Sequence, residues 1–172
     1  SSAFGIVVTQ WTDNHIRVLY AEEYHRPDYA EMLSTVYGLM SKYQVDKVYI
    51  DGANPSFIKS LKIQIGEDSE YDKVIARYRS EGWDSTDKDG WARNMKIVPV
   101  NFNSEHKAML GHCKMILEDD AKIAINPTFD KLITSLRTAV DADGTLDKES
   151  TSYNDIFDAF RLVLKFYQFQ EV

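Results

Sequence analysis

The sequence predicts an α/β fold, a mixed β-sheet flanked by helices. Three observations carry that prediction. Residues 4–11 and 16–21 are rich in β-branched and aromatic side chains on either side of a polar turn, as in an antiparallel hairpin. An apolar stripe at helical spacing then leads into a short apolar run ending at Asp51. A strand reached through such a crossover helix pairs in parallel with a neighbour. The second half alternates short apolar runs with helical stripes, so helices must cover the faces of the sheet.

The elements follow in order. Residues 4–11 form the first strand, 12–15 the turn, and 16–21 the second strand. Pro27 opens a helix near its first turn, where the missing N–H costs nothing. Its stripe is Tyr29, Met32, Leu33, Val36, Leu39, Met40 and Tyr43. A strand over residues 45–50 brings Asp51 to its C-terminal end. Residues 54–93 read as an insertion, with helices starting at Pro55 and over 72–79 and an exposed, Gly-bearing loop over 81–90. Residues 95–100 form the next strand, where Pro99 marks an edge, an end or a bulge.

Ser104 is placed to cap a helix over residues 104–118, with Met109, Cys113, Ile116 and Leu117 inward. A short strand over 122–127 follows, then a helix carrying Phe129, Leu132, Ile133, Leu136 and Val140. The segment Asp141-Ala-Asp-Gly-Thr145 is a turn within a small hairpin. Ser152 begins the last helix, striped by Ile156, Phe160, Val163, Leu164 and Tyr167. Residues 1–172 are therefore read as one domain with an insertion at about 54–93.

The composition, 44% hydrophobic and 27% charged over 172 residues, suits a chain with a full core. A net charge of −7 excludes simple coating of nucleic acid, which needs a basic face. It leaves room for an enzyme whose carboxylates hold metals. No apolar run reaches the roughly 18 residues of a membrane span. The chain lacks a signal-peptide pattern and an initial Met, and is expected to be a piece of a longer protein. One cysteine, Cys113, excludes an internal disulfide and a cysteine zinc site, and fits a reducing, intracellular setting.

The chemistry lies in carboxylates. Asp51 ends a buried strand and precedes Gly52, which leaves space for a ligand, although Asp-Gly is also a common turn pair. Asp155 and Asp158 share one side of the last helix, one turn apart. Ser152-x-x-Asp155 also fits a capping arrangement, the structural alternative for that acid. Asp oxygens suit hard divalent cations, and a pair of such ions activates water and stabilises the leaving oxygen of a phosphodiester.

Other groups carry less. Glu22 and Glu23 end the second strand as solvated acids, and residues 118–120 form an acidic turn. His106 and His112 lack zinc-binding spacing and are expected at the surface or in caps. Trp83 and Trp91 flank a loop region bearing Arg77, Arg79, Lys88 and Arg93; packing together is favoured over stacking on bases. There is no Gly-Lys-Ser/Thr phosphate loop and no Gly-x-Ser-x-Gly elbow.

Taken in order, Val48-Tyr-Ile-Asp51-Gly, Ser104-Glu-His-Lys107-Ala-Met, Lys122-Ile-Ala-Ile-Asn-Pro, Phe129-Asp-Lys-Leu and Tyr153-Asn-Asp155-Ile-Phe-Asp158-Ala resemble the nuclease domain of the viral large terminase subunit, a member of the ribonuclease-H-like superfamily. The resemblance covers nearly the whole chain. It implies a ribonuclease-H-like mixed sheet whose first strand, with the family's first catalytic Asp, lies upstream of Ser1. It makes Asp51 and Asp155 catalytic metal ligands, Asp158 a weaker substitute, and Lys107 a substrate-binding residue. Tyr153 and Asn154 depart from the family's His-Asp.

The function implied is metal-dependent endonucleolytic cutting of double-stranded viral DNA during genome packaging, with Mg²⁺ or Mn²⁺ at a two-metal site. The expected partners are double-stranded DNA, an ATPase domain upstream in the full-length protein, the portal and the small terminase subunit, in the host cytoplasm and without a membrane. Two alternatives stand beside it. One is another ribonuclease-H-like nuclease, such as a junction resolvase or transposase. The other is a catalytically inactive docking domain, for which Asn154 and the upstream location of the first Asp speak.

Overall fold

The computed structural model describes residues 3–12, 14–67, 96–118 and 123–168. In chain order its elements are β1 (Ala3–Thr12), β2 (His15–His25), α1 (Tyr29–Lys42), β3 (Val48–Asp51), α2 (Pro55–Ile65), β4 (Ile97–Val100), α3 (Phe102–Glu118), β5 (Ile123–Ile125), α4 (Asp130–Thr138), β6 (Asp141–Ala142), β7 (Thr145–Leu146) and α5 (Asn154–Leu164). The expected helix over 72–79 and the loop carrying Trp83 and Trp91 lie outside the described residues. The chain forms two compact units, Ser1–Asp28 with Asn103–Val172, and Tyr29–Phe102.

In the first unit β1 and β2 pair antiparallel, from Ala3 opposite His25 to Thr12 opposite His15. β5 adds in parallel to β2, with Ile16, Arg17 and Val18 opposite Ile123, Ala124 and Ile125. The hairpin is interrupted once. Val8 faces Tyr20 and Thr9 faces Val18, so Leu19 is the extra residue of a bulge. The bulge reverses the alternation along β2. Ile16 and Val18 are buried before it, Ala21 and Glu23 after it. The second strand also continues to His25, beyond the expected end at residue 21.

The core of this unit forms where Ile16, Val18 and Ala21 meet Cys113 and Ile116 of α3, Leu132 of α4, and Ile156, Phe160 and Leu164 of α5. Trp11 closes one end of it, edge-on to Tyr167 at 5.5 Å between ring centres. Of the stripe predicted for α5, Ile156, Phe160, Leu164 and Tyr167 are buried and Val163 is half-buried, while Phe157 and Leu162 are buried outside it. In α3, Leu110 is buried and Leu117 is exposed, the reverse of one predicted inward position. The turn between β6 and β7 has positive φ at Asp143 and Gly144, the backbone of a two-residue type I′ hairpin.

In the second unit β3 and β4 pair in parallel, with Val48 opposite Ile97 and Asp51 opposite Val100. β4 has no other strand partner among the described residues, an arrangement that accommodates Pro99. Asn54 caps α2 by accepting from the Phe57 amide at 3.2 Å, Pro55 follows it, and Gly66 ends the helix in the left-handed conformation. Met32 and Met40 of α1 and Phe57, Ile58 and Leu61 of α2 are buried, as are Ile97, Val98 and Val100.

Two predicted helix starts move. α3 begins at Phe102, so Ser104 lies within its first turn instead of capping it. α5 begins at Asn154, after a Tyr153 cap residue with φ 52° and no side-chain capping bond. Ser152 instead donates its amide to Thr138 Oγ1 at 2.8 Å. Ser152 therefore does not cap α5, while Asp155 stays in its first turn, where the helix dipole favours an acid.

Candidate functional site

Asp51 is the last residue of β3 and is exposed. Parallel strands deliver ligand-binding groups at their carboxyl ends. Its Oδ1 accepts from the Ala53 amide at 3.0 Å, an Asx turn that fixes the side chain over the strand end. No cation pairs with Asp51 among the described residues. Gly52 continues the ladder by donating to the Val100 carbonyl at 2.8 Å. A Cβ on Gly52 would lie 3.2 Å from that oxygen, so the backbone approach favours glycine there. The turn reading of Asp-Gly is realised in the backbone, and it leaves a carboxylate facing outward.

Asp155 lies half-buried in the first turn of α5, where the helix dipole favours a carboxylate. The first turn is set directly on the sheet. A Cβ on Gly5 would come within 2.6 Å of the Asp155 carbonyl carbon and 2.8 Å of Ile156 Cα, so only glycine admits the helix at this depth. Opposite Gly5 in the register stands Glu23. Its side chain is 3% exposed, and its Oε1 accepts from the Ile156 amide at 3.1 Å. Glu23 is therefore not the solvated acid expected from the sequence, because the bulge at Leu19 turns it inward. Glu22, its neighbour, pairs with Lys131 of α4, which also donates to the Glu23 carbonyl at 3.0 Å. The hydrogen bond to Glu22 raises the Lys131 pKa.

Asp158 has a different environment. Its Oδ1 binds Arg161 Nη2 at 2.7 Å and its Oδ2 binds Lys148 Nζ at 3.3 Å. Arg161 is completely buried, and a charge in that position requires such a partner. Arg161 Nη2 also donates to His106 Nδ1 at 3.0 Å, which fixes a neutral ring protonated on Nε2. Burial first, and then the Arg161 charge, lower the His106 pKa. His112 donates from Nε2 to the Tyr167 carbonyl at 2.7 Å. Both histidines therefore tie α3 to the end of the chain instead of serving as surface or cap residues. Sequence reading missed Arg161 as well. Its signal was a lone cation within the apolar stripe of α5.

Lys107 is exposed on α3, and its stem lies 3.9 Å from where a Cβ of Gly144 would stand, beside the β6–β7 turn. The acids of that hairpin serve local structure. Asp141 pairs with Lys114 and accepts from the Gly144 amide, and both lower its pKa. Asp147 caps the following turn through Ser150 and Glu149, with its pKa lowered chiefly by the Ser150 hydroxyl. Burial pushes the Cys113 thiol up to about 12, which makes it a core residue and a poor nucleophile.

Among the described residues, no three His, Cys, Asp or Glu side chains converge on one point as a complete metal cage. Individually, Asp51 offers hard oxygens uncommitted to any cation among the described residues, whereas Asp158 is neutralised by two. The donor chemistry thus fits a divalent ion at Asp51 better than at Asp158. No helix among the described residues is long and apolar enough to cross a membrane. Neither a curated protein nor a solved structure matches the chain. The family model of the terminase RNaseH-like domain matches residues 1–165, in agreement with the mixed α/β architecture and the ordered motifs, and the chain belongs to that family.

Proposed function

We propose that this domain is a divalent-metal-dependent endonuclease that cuts double-stranded viral DNA during genome packaging. The observation that carries the reading is the family match over residues 1–165 together with acids at the end of β3 and in the first turn of α5. Asp51 and Asp155 each sit on a regular element, the kind of support that holds a ligand within the tolerance catalysis needs. They would hold Mg²⁺ or Mn²⁺, whose chemistry there would be activation of water and charge stabilisation at the scissile phosphate.

The chain's own residues have distinct tasks. Asp51, oriented by its Asx turn, presents an oxygen from β3. Asp155 presents one from α5, with Asp158 as the weaker substitute because Arg161 and Lys148 hold it. Lys107 contacts the DNA backbone from the exposed face of α3, where a cation attracts phosphate. DNA capture by a domain of net charge −7 relies on local cations and on partners, namely the upstream ATPase domain, the portal and the small terminase subunit, in the host cytoplasm.

The test is plasmid cleavage with Mn²⁺ by a version of the chain extended upstream of Ser1. Linear duplex is expected to be cut, and D51N and D155N are expected to lose cutting. Activity surviving in both variants rejects the assignments. Preference for branched DNA over duplex would transfer the reading to a junction resolvase.

A further inference from the structure

We propose that Glu23 is a positioning residue for Asp155, a role that rests on the nuclease reading above. Helix α5 starts without a side-chain cap of its own, because Tyr153 occupies the cap position in a left-handed conformation. The amide three residues into a helix, here that of Ile156, is the one an N-cap side chain ordinarily satisfies. Glu23 supplies that bond from the neighbouring strand at 3.1 Å. The cap therefore comes from 133 residues earlier in the chain, and it ties the helix start to the sheet.

Four features make this a built socket. Glu23 is buried, so its carboxylate needs the bond it makes. Its other oxygen lies 3.6 Å from His25 Nε2, leaving Oε1 directed at the helix. Gly5, its partner across the hairpin, removes the one side-chain atom that would lift Asp155 from β1. Lys131 holds this end of β2 from α4 through Glu22 and the Glu23 carbonyl. Glu23 and Gly5 thus set the height and rotation of the first turn of α5, and with them the direction in which Asp155 presents its oxygens. Outer partners of this kind tune metal affinity or activity by about 10–100-fold.

The experiment measures Mn²⁺ binding by electron paramagnetic resonance and Ile156 amide exchange in the upstream-extended chain, for wild type, E23A, E23Q and G5A. E23A removes the acceptor, and E23Q keeps an acceptor oxygen without the charge. G5A disturbs the socket from the other strand and carries the test if E23A does not fold. The expected result is faster Ile156 exchange and about 10–100-fold weaker Mn²⁺ binding in E23A and G5A. E23Q is expected to recover most of the loss, whereas in E23A and G5A kcat is expected to fall with KM for DNA unchanged. Wild-type Mn²⁺ affinity in folded E23A or G5A overturns the proposal, as does an E23Q no better than E23A. A wild-type chain that binds no Mn²⁺ overturns the nuclease reading itself, and the positioning role with it.

Discussion

At Asp51 the local backbone does the fixing, whereas at Asp155 distant parts of the chain do it. Asp51 is held by the parallel ladder of β3 and by one bond to the amide two residues on. Asp155 is held because α5 rests on Gly5, is capped by Glu23 and is packed through Ile156 and Phe160 into the core. A carboxylate fixed locally is readable from a short motif and tolerates change elsewhere. One fixed by tertiary contacts depends on residues that no local motif contains. A second contrast lies within α5, where Asp155 and Asp158 are one turn apart. Asp158 neutralises a buried arginine, and Asp155 stands at the helix start above the sheet.

The largest stability effect should separate those two acids. Replacing Asp158 with Ala leaves Arg161 buried without its carboxylate, a loss of about 3–5 kcal/mol when one partner of a buried pair is removed. D155N, nearly isosteric, should shift the urea midpoint by less than D158A does while removing cleavage. Equal stability losses in the two variants would break the contrast. A smaller effect sharpens the local side of the comparison. N54A removes the cap of α2 just after Asp51, expected to cost about 0.5–2 kcal/mol in thermal or urea unfolding and to leave Ile156 exchange unchanged. K131M removes a partly exposed ion pair with Glu22, and a change of about 0–1 kcal/mol is expected.

The smallest effect concerns pH. The folded His106 binds its proton less readily than a free imidazole, owing to burial and to Arg161. The unfolded chain therefore takes up more protons near this histidine's ordinary pKa of about 6.5. The stability His106 contributes is present above that value and is lost as pH falls through it. Urea midpoints at about pH 7.5 and about pH 5.5 should accordingly differ more in wild type than in H106Q. An identical difference in both proteins would contradict the Arg161–His106 geometry.

The legible parts of the sequence were those encoded locally. The hairpin, the helix after Pro27, the strand ending at Asp51 and the Asp143-Gly144 turn all follow from short-range pattern. The stripe of α5 located Ile156, Phe160 and Leu164 in the core but left out Phe157 and Leu162, which are buried as well. Glu23 was hidden by the bulge at Leu19, since strict alternation from Ile16 places position 23 outward. The Arg161–Asp158–His106 cluster was hidden because it joins positions 55 residues apart. Ser152 and Ser104 look like caps in sequence, but packing of the helices moved both starts. Asp51 and Asp155 stood out because each ends or begins a regular element, and the family that the motif order resembled is the one whose model matches residues 1–165.

The proposed assignment of Asp51 and Asp155 to metal binding is tested most directly by a double-mutant cycle on Mn²⁺ binding. Groups that share a site lose affinity non-additively. D51N and D155N should each weaken Mn²⁺ binding in the upstream-extended chain, and the double variant should bind scarcely more weakly than either one. Independent, additive losses, or single variants that bind Mn²⁺ like wild type, would contradict the account.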